Sequence, residues 1–177
     1  RLSLEDFTSR FHEVVNLLND IHSTPTQDVG KYFFGPSSDA YKYAQSILRY
    51  VESQVEKLQT FLGDESIGGI LKSRLRMAEE KMSEAESSFK KKKLYLTHLS
   101  IHPANIISTK QGLRLIDWQR GGIADNALEL YFLLRKVDDD FRRQKEYLKD
   151  YKYLDEEVLE RVAYYRDFFQ LFDVVWA

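Results

Sequence analysis

The stretch His98-Leu99-Ser100-Ile101-His102-Pro103-Ala104-Asn105, followed by Leu115-Ile116-Asp117-Trp118, decides how this chain is read. Between the two pieces, Asn105-Ile106-Ile107-Ser108 and Leu113-Arg114-Leu115-Ile116 are short β-prone runs that flank Lys110-Gln111-Gly112, a pattern that predicts a hairpin. A hairpin is stiff enough to hold Asn105 at its start and Asp117 at its end side by side. An amide oxygen and a carboxylate then converge on one point. Two hard oxygen ligands with open positions suit Mg²⁺, which keeps several waters and takes the rest of its shell from phosphates. In outline this is a nucleotide-phosphate site.

Outward from the loop, Leu94-Tyr95-Leu96-Thr97 predicts one more strand, and the rest of the chain is helical in texture. Ser3-Leu4-Glu5-Asp6 has the form of a capping box, and Leu4, Phe7, Phe11, Val14, Leu18 and Ile21 recur every three or four residues, predicting one amphipathic helix that stops near His22. Residues 24–36 hold two prolines, two glycines and Tyr32-Phe33-Phe34, the pattern of a long loop tacked down by buried rings. Ser37 and Ser38 are candidate caps for a second helix, whose stripe of Ala44, Ile47, Val51, Val55, Leu58 and Leu62 ends at Gly63, with a turn expected through Gly68-Gly69. A thinner stripe from Ile70 to Lys92 predicts a surface helix. The lysines at 90–93 read best as charges complementing that helix's C-terminal dipole, not as an anion site. Beyond Asp125, the segment from Leu128 to Val137 is apolar on nearly every side, as a central helix should be, and Phe141 to Trp176 reads as two helices broken near Tyr153-Leu154-Asp155. The expected class is mainly α with an α+β character: helices around a small β-hairpin insert that carries the loop.

Composition narrows the function classes. Lys and Arg total 26 against 28 for Asp and Glu, a net charge of -2, so no long-range field favours nucleic acid or an anionic membrane. Cysteine is absent, which excludes thiol catalysis, disulfides and thiolate metal sites and is compatible with a reducing cytoplasm. No apolar run approaches the roughly 20 residues needed to span a bilayer. A cytoplasmic protein is the expectation. The first residue is Arg1 and the sequence stops within an apolar run ending at Trp176, so part of a longer protein is expected.

The loop, the hairpin and the segment up to Leu134 resemble the aminoglycoside phosphotransferase and choline kinase-like phosphotransferases, which share the two-lobed protein-kinase-like fold. That family reads His-x-Asp-x-His-Pro-x-Asn, then Ile-Asp-Trp or Ile-Asp-Phe, then Gly-x-Gly-Asp-Pro-x-x-Asp-Leu. Here His98, His102, Pro103, Asn105, Ile116, Asp117 and Trp118 fall in register, and Gly122, Asp125 and Leu130 match the last segment. The close likeness covers about Thr97 to Leu134, and the helix ending Leu17-Leu18-Asn19-Asp20-Ile21-His22 is similar to the family helix that ends in Leu-His. The resemblance implies that residues 1–177 are the C-terminal lobe of such a protein, with its catalytic loop and hairpin at 94–118. It also implies ATP and Mg²⁺ as cofactors, Asn105 and Asp117 as metal and nucleotide ligands, and His98 and His102 as residues that hold the loop. The acceptor would be the hydroxyl of a small molecule such as an amino alcohol, an aminoglycoside or a sugar-like compound. No counterpart of the nucleotide-clasping N-terminal lobe is seen in these residues.

Two departures matter. The family's catalytic aspartate aligns with Ser100, whose hydroxyl is no base near neutral pH, and positions 98–105 hold no carboxylate to take its place. Ala124, Asn126 and Glu129 replace the family's Gly, Pro and Asp, which is expected to weaken the support of the loop. A small-molecule kinase with an impaired base and a non-catalytic, pseudokinase-like binding or structural module therefore both stay open; natural loss and deliberate inactivation would read alike. Other residues invite blander readings. His98 and His102 lack the zinc-protease Glu, and Pro103 spoils a helix there. Asp138-Asp139-Asp140 reads as a solvated helix face, since consecutive helical residues diverge. His12 and His22 read as structural.

Overall fold

The computed structural model describes every residue except 28, 31, 33, 34, 64, 139, 140 and 177, and the side chains of all of these but 62, 65–67 and 171–176. The chain opens on the predicted capping box: Ser3 Oγ accepts the Asp6 N–H at 3.0 Å and donates to the Asp6 carboxylate at 2.8 Å. The single helix expected next is two, α1 (Leu4–Ser9) and α2 (Phe11–Ser23), because Arg10 leaves helical geometry at φ -105 and ψ 20. Its guanidinium is held at both ends, by the Glu13 carboxylate at 2.7 Å and by Ser108 Oγ at 3.0 Å. The break lets Phe7 and Phe11 both bury, edge to face at 5.8 Å.

Helix α3 (Ala40–Leu62) follows the predicted stripe, with Ala44, Ile47, Val51 and Val55 buried. Its cap is Asp39, not Ser37 or Ser38: the Asp39 carboxylate accepts the Lys42 N–H at 3.0 Å. Gly63 ends it in the left-handed region, φ 64, where a side chain would be strained. Gly68 and Gly69, expected in a turn, lie inside α4 (Glu65–Glu84). At 68 the missing side chain makes room for α3, since a Cβ there would sit 2.5 Å from Gln59 Nε2. The expected surface helix also breaks, at Ala85 (φ -88, ψ 7), and the short α5 (Glu86–Phe89) turns Phe89 into the core against Tyr164 and Tyr165. Three of the lysines after it have partners: Lys90 pairs with Glu86 at 2.8 Å, Lys92 pairs with Glu157, and Lys93 lies over the Tyr95 ring.

Two small antiparallel sheets sit between the helical halves. Strands β2 (Ile106–Thr109) and β3 (Gly112–Leu115) form the predicted hairpin, with Ile106 opposite Leu115 and Gly112 at φ 106 in its turn. The predicted strand β1 (Tyr95–Thr97) pairs with β4 (Gly122–Ala124), a strand that the sequence pattern does not announce. Tyr32 bridges to Ile123, so the 24–36 loop is tacked onto β4 at this residue; Phe33 and Phe34 lie outside the described residues.

Helix α6 (Asn126–Leu134) is buried on almost all sides, as its composition requires. Tyr131 stacks between Phe141 and Phe169 at 5.8 and 5.2 Å. Asp138 is not on a solvated face: it lies past the end of α6, buried, and its carboxylate accepts the Arg143 N–H at 2.7 Å. Asp139 and Asp140 lie outside the described residues. The short α7 (Gln144–Tyr147) and the long α8 (Glu156–Trp176) flank the predicted break at Tyr153-Leu154-Asp155. Among the described residues no helix is long and apolar enough to cross a membrane.

Candidate active site

The chain leaves β1 at Thr97, whose Oγ1 donates to Gly122 O at 3.0 Å, and enters the loop through His98 and Leu99. Leu99 takes φ 55, a conformation that β-branched and bulky residues rarely adopt, so the loop needs outside support. Glu129 of α6 provides it. One oxygen, Oε1, accepts the backbone N–H of both His98 and Leu99 at 2.7 Å. The expectation that Glu129 would weaken the loop is thus reversed: the carboxylate is fully buried and spans both amides.

His98 braces the other side. Its Nε2–H donates to Ile116 O at 2.9 Å, tying the loop to the end of the hairpin, and its ring stands edge-on to Trp118 at 4.7 Å. With Nε2 committed and Nδ1 buried without a hydrogen bond among the described residues, this imidazole serves as a strut, and no zinc cluster forms with His102. Asn105 closes the loop: its backbone N–H donates to His102 O, and its Nδ2 donates to Ser100 O at 3.0 Å and Ser100 Oγ at 3.2 Å.

The hairpin register settles how Asn105 and Asp117 stand. Asn105 O accepts the Ile116 N–H at 2.9 Å, one step beyond the Ile106–Leu115 pair, so Asp117 follows the residue directly opposite Asn105. Asp117 itself adopts φ 64 and ψ 64, a left-handed kink that lifts the chain off the strand into a short turn at Trp118–Arg120. Its carboxylate is exposed and has no hydrogen bond or ion pair among the described residues. With Nδ2 of Asn105 held by Ser100, its Oδ1 is left without a hydrogen bond among them too. His102 is half-buried nearby; burial first, then the charge of Lys136, holds it below the usual 6.5, while Asp117 pulls the other way.

The fold that carries these residues recurs in solved structures. Ethanolamine kinase from Plasmodium vivax superposes with a TM-score of 0.63 at 15% identity, covering 99% of this chain and 54% of that one. Choline kinase LicA from Streptococcus pneumoniae gives 0.57 at 18% identity, covering 98% and 57%. Spectinomycin phosphotransferase APH(9)-Ia, in complex with ADP and spectinomycin, gives 0.50 at 17%, covering 99% and 55%. The chain has the fold of a kinase-type C-terminal lobe. It spans about half the length of these structures, and at such identities the likeness is one of fold. No protein-family model matches the sequence, and no curated protein matches it.

Within this kinase-like lobe, Asp125 turns out to be architectural. It caps α6 through the Ala127 N–H at 3.1 Å, pairs with Arg161 of α8 at 3.2 Å and accepts the Tyr165 hydroxyl at 3.1 Å. Arg161 Nη1 donates to Ser88 O and Nη2 to Asn126 Oδ1, so every nitrogen of the buried guanidinium has a partner. In the sequence His22 is legible only as a structural residue, and Tyr151 carries no signal at all. The two meet in the core: His22 Nε2 lies 2.7 Å from Glu129 Oε2, and Nδ1 lies 2.6 Å from the Tyr151 hydroxyl.

Proposed function

We propose that the chain is the C-terminal lobe of an ATP-dependent phosphotransferase that moves a phosphoryl group to the hydroxyl of a small molecule. The observation that carries the reading is the hairpin register, which sets the exposed Asp117 carboxylate next to the residue opposite Asn105. The two groups fit Mg²⁺ by chemistry: both offer hard oxygens, and neither oxygen set is consumed by a protein donor among the described residues. The bound ion would neutralise phosphate charge. Phosphoryl transfer depends mainly on positioning and charge neutralisation, and the residues that supply positioning here are His98, Glu129 and Asn105. In this reading Ser100 stands at the place of the base, its Oγ facing Asn105.

Asp117→Asn tests the site while preserving the backbone, because Asn tolerates a left-handed conformation. Magnesium-dependent ATP binding by the full-length protein, followed by calorimetry, should weaken at least about 10-fold, a loss within the range for removing a charged hydrogen-bonding partner. Unchanged metal-dependent binding would refute the assignment.

A second reading, a non-catalytic module of the same fold, is favoured by one observation: Ser100 offers no charge where the reaction needs a proton acceptor. General-base positioning is worth about 10²–10⁴ in rate, so Ser100→Asp should raise transfer to the true acceptor by at least about 10²-fold. A nucleotide-binding protein that gains nothing from this change, across a screen of amino alcohols and aminoglycosides, would instead be the binding module.

A further inference from the structure

Beneath the loop, Glu129 is the inner end of a chain of buried hydrogen bonds that reaches the connection between α7 and α8. Asn126 Nδ2 donates to the Tyr151 hydroxyl at 2.8 Å. That hydroxyl meets His22 Nδ1 at 2.6 Å, and His22 Nε2 meets Glu129 Oε2 at 2.7 Å. Glu129 Oε1 then takes the two loop amides. Proton accounting gives the chain one direction. Asn126 Oδ1 is already used by Arg161, so among the described residues the Tyr151 hydroxyl finds its acceptor in His22 Nδ1, which assigns the imidazole proton to Nε2, toward Glu129. Burial also pushes the Tyr151 hydroxyl well above its usual range, keeping that proton in place.

Tyr151 is held where it is needed by a separate clamp. Asn19, one turn before His22 on α2, donates through Nδ2 to Asp150 O at 2.8 Å and accepts the Lys152 N–H through Oδ1 at 2.8 Å. The carboxamide therefore grips the backbone on both sides of Tyr151. Asn19 is 2% exposed, so a residue that usually sits at the surface is buried for this purpose.

We propose that Tyr151 is a positioning residue for the catalytic loop, acting through His22 and Glu129, with Asn19 fixing Tyr151 in turn. The hydroxyl orients the imidazole; the imidazole commits one carboxylate oxygen and leaves the other to the strained His98–Leu99 turn. Without the hydroxyl, His22 Nδ1 is left buried and unpaired, the ring loses the contact that orients it, and the hold of Nε2 on the second oxygen of Glu129 loosens. A merely structural tyrosine would affect overall stability and leave the two amides alone.

The kinetic part of the test rests on the phosphotransferase reading, whereas the spectroscopic part does not. In isotope-labelled full-length protein, Tyr151→Phe should move the His98 and Leu99 amide proton signals upfield from their carboxylate-bonded positions. Their exchange should speed at least about 10-fold relative to the hairpin amide of Arg114, in the hydrogen-bonded Ile107–Arg114 pair. Asn19→Ser, which leaves all members of the chain in place but loosens the clamp, should shift the same two signals in the same direction by less. Where transfer is measurable, Tyr151→Phe should lower kcat about 10-fold or more at unchanged KM for ATP, the kind of loss expected when reacting groups are displaced by a fraction of an ångström to an ångström. If Tyr151→Phe unfolds the protein, Asn19→Ser alone decides. His98 and Leu99 signals that stay put in a folded variant, or that move only as much as Arg114, would overturn the proposal; absence of any transfer in the parent protein would instead count against the phosphotransferase reading.

Discussion

The two sides of the loop from His98 to Asn105 are built on opposite terms. Its underside is buried and densely hydrogen-bonded: Glu129, His22, Tyr151 and Asn126 form one uninterrupted run of hydrogen bonds, and Asp125, Arg161 and Tyr165 form another beside it. Its outer side is uncommitted, with the Asp117 carboxylate exposed and the Oδ1 of the buried Asn105 without a hydrogen bond among the described residues. Buried groups without partners are costly, so the underside is determined by folding alone. The outer face is under no such obligation. In the proposed reading its polar atoms would gain their full value when something else is bound, which would distinguish a site from a support.

The contrast can be broken most violently from below. Arg161→Ala strands the Asp125 carboxylate in the core and should destabilise the protein by about 3–5 kcal/mol, measured by denaturant unfolding, since removing one partner of a buried pair leaves an uncompensated charge. Arg161→Met, which keeps the volume, should be nearly as harmful as long as Asp125 stays. Asp117→Asn, from the outer side, should change stability by no more than about 0.5 kcal/mol even as it weakens magnesium-dependent nucleotide binding. Away from the loop, Asp39→Ala removes the cap of α3 and should cost about 1 kcal/mol in the same unfolding assay.

The smallest effect separates a surface pair from the buried one. Asp167 on α8 meets Lys81 on α4 at 2.6 Å and Arg166 at 2.8 Å; partial burial raises its pKa, but these two cations outweigh that and hold it below its usual value. A carboxyl depressed in the folded state binds fewer protons there than in the unfolded chain, so its contribution is present above the unfolded value near 3.9 and is lost as pH falls through the folded one. Because the pair is partly exposed, Asp167→Asn should cost at most about 1 kcal/mol at pH 7 and still less at pH 3, a difference that unfolding midpoints at the two pH values would show.

Local pattern makes the hairpin readable, because a Lys-Gln-Gly turn between two Ile- and Leu-rich runs has few alternatives, and the same is true of α3 and its terminal Gly63. The Asn105–Asp117 register follows from the hairpin. The features that stay hidden depend on distance along the chain. Strand β4 is three residues long and owes its existence to Tyr95–Thr97, far upstream; no window around Gly122 contains its partner. At the break Arg10 reaches across to Ser108, and at Gly68 it is Gln59 of another helix that fills the space a side chain would take. Glu129 looks like an erosion of a motif when only its identity is visible. Its value lies in two amides on a remote loop and a histidine on α2, which spacing within the motif could not show.

Trp118 offers an experimental convenience. It comes directly after Asp117 in the chain, is 40% exposed and rests edge-on against His98. The sequence contains only two tryptophans, the other being Trp176. Within residues 1–177, replacing Trp176 with Phe would leave a single indole chromophore beside the carboxylate, so its emission could follow ligand arrival at the outer face in real time without an attached dye.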